Sequence, residues 1–105
     1  MQIQINTDNH IENSDRLTTF FSNEIKSELE RFDTIITRVE VHFGDENSDK
    51  FGKNDKKCVI EVRIAKKEPL AVTDYSDSIE KAFSNAMDKI KRVLNTTHEK
   101  MREHN

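Results

Sequence analysis

Cysteine, proline and glycine are scarce in this 105-residue chain, which has one cysteine, one proline and two glycines. A lone Cys58 cannot form an internal disulfide, which fits a reducing compartment. Its neighbours alternate in character, so it reads as a small core residue rather than a functional thiol. Both glycines, Gly44 and Gly52, fall in the polar segment GDENSDKFGKNDKK, and Pro69 stands alone, so most of the chain is free to form regular structure. Long apolar runs are also missing. Nothing approaches the roughly 20 residues of a membrane-spanning helix, and MQIQINTDNH has no basic stretch leading into an apolar one. The expectation is a soluble, cytoplasmic protein with no membrane partner. Nor is there an excess of positive charge: 17 Lys and Arg stand against 20 Asp and Glu, a net charge of -3. That total does not advertise a nucleic-acid binder. The length suits one domain, residues 1–105, and a hydrophobic third suffices for one modest core.

What is present is periodicity. Residues 2–6 alternate, with Ile3 and Ile5 on one face, and read as a short strand. Asn13 or Ser14 can cap a helix over about residues 14–31. Its apolar stripe is Leu17, Phe21, Ile25 and Leu29, widened by Phe20 and Phe32. From Ile35 to Phe43 the period returns to two: Val39, Val41 and Phe43 oppose Arg38, Glu40 and His42. Cys58, Ile60, Val62 and Ile64 mark a third strand. Lys66 to Pro69 make a tight connection, and Leu70 to Thr73 form a short fourth strand that tolerates the preceding proline. A last helix, from about residue 75 to 102, carries Ile79, Phe83, Ala86, Met87, Ile90, Val93, Leu94 and Met101 on one arc. The order β-α-β-β-β-α predicts an α+β fold, a four-stranded sheet with both helices on one face. The other face carries Gln2, Gln4, Arg38, Glu40, His42, Glu61 and Arg63.

Catalytic constellations are lacking. There is no glycine-rich phosphate loop, no nucleophile elbow and no His-x-x-x-His pair. His10, His42, His98 and His104 lack metal-ligand spacing with one another or with Cys58. The reading is a non-enzymatic protein with no cofactor, metal or small-molecule substrate.

Charge is unevenly distributed. Residues 1–30 hold two basic and six acidic side chains, residues 69–88 one and four, and residues 89–105 five and two. On the last helix Lys81 and Arg92 lie opposite the apolar stripe, with Lys89 and Lys100 flanking on one side and Lys91 and Arg102 on the other. Such cations can each reach a phosphate, or simply form a solvated face suited to a helix C-terminus. Lys66 and Lys67, at the tip between strands three and four, are further candidates. Lys50, Lys53, Lys56 and Lys57 in the long loop are balanced by Asp45, Glu46, Asp49 and Asp55. The expected open sheet face shows no stacking aromatics, so any RNA recognised is a structured one, read through shape and backbone.

In this order the segments QIQINTDNHIE, LERFDTIITRVEVHF, CVIEVRI and PLAVTDYSDSIEKAFSNAMDKIKRVL resemble the ribosome hibernation family, which includes the proteins long labelled sigma modulation proteins. The resemblance implies a fold similar to double-stranded RNA-binding domains. It also implies binding to the small ribosomal subunit and its 16S rRNA, in the channel used by messenger and transfer RNA, with repression of translation in stressed or resting cells. It points to Lys89, Lys91 and Arg92 in DKIKRVL as RNA-binding residues, with Lys100 beyond them, and Lys26 and Arg31 on the first helix; the expected state is a monomer. Where the family would carry lysines after RVL, this chain has Asn95, Thr96 and Thr97. No C-terminal domain of the kind that pairs ribosomes is recognised. The net charge and the acidic first 30 residues leave an alternative: a protein-interaction or regulatory module of the same fold with reduced RNA binding.

Overall fold

A computed structural model describes residues 1–8, 15–45 and 55–103. The elements are β1 (Gln2–Thr7), α1 (Asp15–Glu28), a 3₁₀ turn (Glu30–Phe32), β2 (Ile36–Asp45), β3 (Lys56–Ile64), β4 (Leu70–Ser76) and α2 (Ile79–Glu103). The strands form one mixed sheet in the order β1-β2-β3-β4. β1 pairs parallel with β2, and the other neighbours pair antiparallel. A parallel pair needs a crossover, and α1 supplies it.

Alternation puts Val39, Val41 and Phe43 of β2 and Cys58, Ile60, Val62 and Ile64 of β3 against the helices, all buried. Phe21 of α1 stands at the junction of three elements, its ring centroid 4.7 Å from that of Phe43 and 4.6 Å from that of Phe83 on α2. Ile25, Leu29 and Phe32 continue this side of the core, and Ala82, Ala86, Met87, Ile90 and Leu94 supply the α2 side. Two expected core residues lie outside it: Phe20 is 52% exposed and Val93 is also exposed.

Four local features depart from simple periodicity. The α-helix gives way at Leu29, after which Phe32 N–H donates to Leu29 O (2.9 Å) and Asp33 N–H to Glu30 O (3.0 Å). The tighter winding aligns residues three apart, which buries both Leu29 and Phe32. In β2 the register advances two residues, from Ile36 to Arg38, while β3 advances one, from Ile64 to Arg63. The extra residue, Thr37, bulges and donates from its hydroxyl to Arg63 O (3.1 Å). Ile36 and Val39 consequently share the buried face although they are three apart. The fourth strand runs three residues further than expected, to Ser76. The last helix starts at Ile79 rather than 75, because Ser78 caps it: its hydroxyl accepts from Lys81 N–H (3.2 Å) and its carbonyl from Ala82 N–H (3.0 Å). The caps expected at Asn13 and Ser14, and most of the loop that includes Lys50 and Lys53, lie outside the described residues.

The open face is knitted by polar side chains. Arg38 donates to Gln2 and Gln4 and meets Glu40, while Arg63 meets Glu61 and Glu40. The extension of β4 corrects one expectation about this face. It displays Tyr75, 45% exposed, with Lys57 Nζ 6.0 Å from the ring centre.

Candidate nucleic-acid interface

Because β1, β2 and β4 are parallel to one another and each helix reverses direction after its strand, α1 and α2 run side by side in the same sense. Their C-terminal ends meet near the 3₁₀ turn. The β3–β4 hairpin lies at this same end, since Ile64 pairs with Ile36 at the start of β2. Cations gather here, while Asp8, Asp15, Asp45, Asp55, Asp77 and Glu80 belong to the opposite end of strands and helices.

Between the helices lies a recess of about 480 Å³ lined by Glu28, Arg31, Phe32, Asp88, Lys91, Arg92 and Asn95. It is adjoined by a second, of about 360 Å³, whose walls are Arg31, Asn95, His98, Glu99 and Arg102. Arg31 and Asn95 belong to both, so the two form one groove along the C-terminal halves of the helices. Phe32 forms part of its wall, with its ring edge-to-face against His98 at 5.9 Å and the Arg31 guanidinium 4.6 Å from the ring centre.

The ten candidate cations divide by what they already touch. Lys89 Nζ is 3.0 Å from Asp74 Oδ2 and donates to Thr73 O at 3.0 Å, tying α2 to β4. Lys91 Nζ lies 2.9 Å from Glu28 Oε1, tying α2 to α1. Lys81 pairs with Asp77 at 3.4 Å, at the acidic end. Lys26 faces away from the groove, in a recess shared with Glu30 and Asp33. By contrast Arg31, Arg92, Lys100, Arg102, Lys66 and Lys67 are exposed and form no ion pair among the described residues. Arg31, Lys91, Arg92 and Arg102 meet in the groove. Lys100 stands on the β4 side of α2, and Lys66 and Lys67 occupy the hairpin.

Lys66 adopts φ 64°, in the left-handed region that non-glycine residues rarely occupy, inside a turn closed by Lys67 N–H donating to Ile64 O (3.1 Å). Asp74 is held below its ordinary carboxyl pKa chiefly by the hydrogen bond from Lys89, against the opposing effect of burial. Burial, with a smaller contribution from the Asp74 charge, pushes the Cys58 thiol up to about 12. Among the described residues no group of His, Cys, Asp and Glu is arranged to hold a metal ion, and no helix is long and apolar enough to cross a membrane.

A family profile described as Sigma 54 modulation protein / S30EA ribosomal protein matches residues 3–102. No curated protein matches the chain in sequence. Among solved structures the fold is similar to the N-terminal domain of Protein Y from Thermus thermophilus, with a TM-score of 0.72 at 16% identity, over 92% of this chain and 99% of that one. It is similar also to a ribosomal subunit interface protein from Coxiella burnetii, with a TM-score of 0.70 at 18% identity, over 94% and 99% of the two chains.

Proposed function

Since the chain belongs to the Sigma 54 modulation protein / S30EA ribosomal protein family, we propose that it is a non-enzymatic ribosome-associated factor that binds structured RNA of the small subunit and represses translation. The observation that carries this reading is the groove between α1 and α2, where Arg31, Arg92 and Arg102 remain available to phosphates. Lys100 and the hairpin lysines Lys66 and Lys67 extend the cationic surface at the same end of the molecule. Guanidinium groups suit phosphate because their fork donates two parallel hydrogen bonds. Lys89, Lys91 and Lys81 contribute less, because each already neutralises a carboxylate. The binding site is the channel used by messenger and transfer RNA, the protein acts as a monomer in the cytoplasm, and the RNA is 16S rRNA.

The test is co-sedimentation with purified 30S and 70S particles. If six cations engage phosphates, affinity falls about a thousandfold between about 50 and 200 mM salt. Replacing Arg31, Arg92 and Arg102 together by Glu abolishes binding. Protein that stays at the top of a low-salt gradient with ribosomes from both growing and starved cells would overturn the proposal.

A second reading, a protein-interaction module of the same fold, draws on the three lysines already engaged in ion pairs and on the net charge of -3. It predicts a defined protein partner that is retained after nuclease treatment and unaffected by the triple Glu substitution.

A further inference from the structure

The groove between the helices does not end at the Lys91–Glu28 pair. On the other side of Glu28, toward the helix N-termini, it continues as a recess of about 220 Å³ lined by Phe20, Phe21, Glu24, Glu28, Glu80 and Phe83. The sign of the groove inverts there: carboxylates from both helices line this half, and no cation does. Phe20 stands at it 52% exposed, its ring edge-to-face on Phe21 at 5.2 Å, so the most exposed large apolar side chain of the described residues marks an acidic hollow with an aromatic floor.

The helix dipoles account for only part of this charge. The first turn of α2 accounts for Glu80, since acidic residues are favoured there, yet Glu24 and Glu28 lie in the last two turns of α1, where cations are favoured. Solvation of an ordinary helix face does not account for Phe20, an apolar ring half exposed beside these carboxylates. Glu28 is committed to Lys91, whereas Glu24 and Glu80 form no ion pair among the described residues.

We propose that this half-groove docks a basic, arginine- or lysine-rich peptide segment of a partner protein, with a cationic side chain set between Glu24 and Glu80 against the ring of Phe20. A phosphate entering here would meet three carboxylates, so the occupant is not RNA. An apolar segment would leave those carboxylates facing an uncharged partner. A guanidinium or ammonium group satisfies both parts of the site, pairing with carboxylate and stacking on aromatic faces. The inference stands apart from the RNA reading: the two halves of one groove would take RNA and a basic protein tail side by side, but either half can bind without the other.

The experiment is a fluorescence-anisotropy titration of the full chain against a labelled peptide of alternating arginine and serine, at low salt and without ribosomes. The expected result is saturable binding that weakens about tenfold in Phe20→Ala and again in the double variant Glu24→Gln/Glu80→Gln. The charge-matched control Glu30→Gln/Glu68→Gln, whose sites are exposed and outside the recess, keeps wild-type affinity. Equal weakening in that control would mean nonspecific attraction to an acidic protein and would overturn the proposal. So would unchanged binding in both recess variants. Self-association in sedimentation equilibrium that the recess variants abolish would make the occupant a second copy of this chain, and would overturn it too.

Discussion

Lys91 Nζ of α2 lies 2.9 Å from Glu28 Oε1 of α1, the two residues 63 positions apart in sequence, and the pair bridges the helices where the groove changes sign. Each side chain is about a third exposed (34% and 32%). Solvent therefore screens the pair, and its contribution to stability is below about 1 kcal/mol. Its electrostatic effect on a ligand is larger, because Glu28 neutralises one of the four groove cations. Glu28→Gln releases Lys91 toward phosphate. The expected outcome is ribosome affinity raised several-fold at low salt, with a thermal midpoint lowered by only a few degrees, read by filter binding and calorimetry.

Lys89 and Arg92 are three residues apart on one helix and differ in what they touch. Lys89 is held by Asp74 and Thr73 O, whereas Arg92 reaches no acidic partner among the described residues. Lys89→Ala therefore costs about 1 kcal/mol of stability and little affinity. Arg92→Ala leaves stability unchanged and weakens ribosome binding by about tenfold at low salt. Chemical denaturation and sedimentation of the two variants in parallel separate the structural cation from the binding one.

The Asp74–Lys89 pair gives the acid limb of the stability profile a defined origin. The Asp74 carboxyl, held low by Lys89 first and by the Tyr75 N–H in addition, titrates in the folded protein below its ordinary value of 3.8. A depressed folded-state pKa contributes stability that is present above 3.8 and lost as pH falls through the folded value. Asp74→Asn removes that contribution. The variant is less stable than wild type at pH 7, and the difference narrows below pH 4, as followed by denaturant midpoints across the acid range.

Much of the fold is legible in the sequence because its elements are strongly periodic: Val39, Val41 and Phe43 in β2, and Leu17, Phe21 and Ile25 in α1, announce both type and buried face. What is not legible depends on partners far along the chain. The Thr37 bulge follows from the register against Ile64 and Arg63, which alternation within β2 alone does not contain. Ser78 is a recognisable cap, and its signal was available two residues after the strand ends. For the candidate site, composition and helix angles single out the cations of α2 as a set. They cannot say that Lys89 and Lys91 are neutralised by Asp74 and Glu28, residues of other elements, or that Arg31 of the 3₁₀ turn joins Arg92 and Arg102 across the groove while Lys26 of α1 does not. Phe20 fits the stripe by count but projects beside the core, where α1 leaves the recess near the helix N-termini.

Cys58 offers a readout of core integrity. Burial pushes its thiol from an ordinary 9.0 up to about 12, so it remains protonated and unreactive in the folded state. A raised folded-state pKa contributes stability that is complete below pH 9 and lost as pH rises toward 12. Reaction with a thiol-specific disulfide reagent at pH 8 proceeds only through opening of the structure, and its rate rises steeply with denaturant. Cys58→Ala flattens the alkaline side of the stability profile. Rapid reaction of the native protein would refute this account.

The left-handed Lys66 sets stability against binding at one position. A φ of 64° costs a side chain with a Cβ about 1 kcal/mol that glycine does not incur. The turn needs only that backbone conformation and the Lys67 N–H to Ile64 O bond, neither of which uses the lysine side chain. Lys66→Gly is therefore expected to raise stability by up to about 1 kcal/mol, offset in part by glycine's greater freedom in the unfolded chain. If the hairpin touches RNA, the same substitution removes one phosphate contact and lowers the slope of log affinity against log salt by about 1. Asn at this position tolerates the left-handed conformation and also lacks the charge, so Lys66→Asn reproduces both effects. Lys66→Ala keeps the strain and loses only the salt slope. Denaturation and salt-titrated ribosome binding of these three variants distinguish a strained turn retained for its cation from one in which the residue is immaterial.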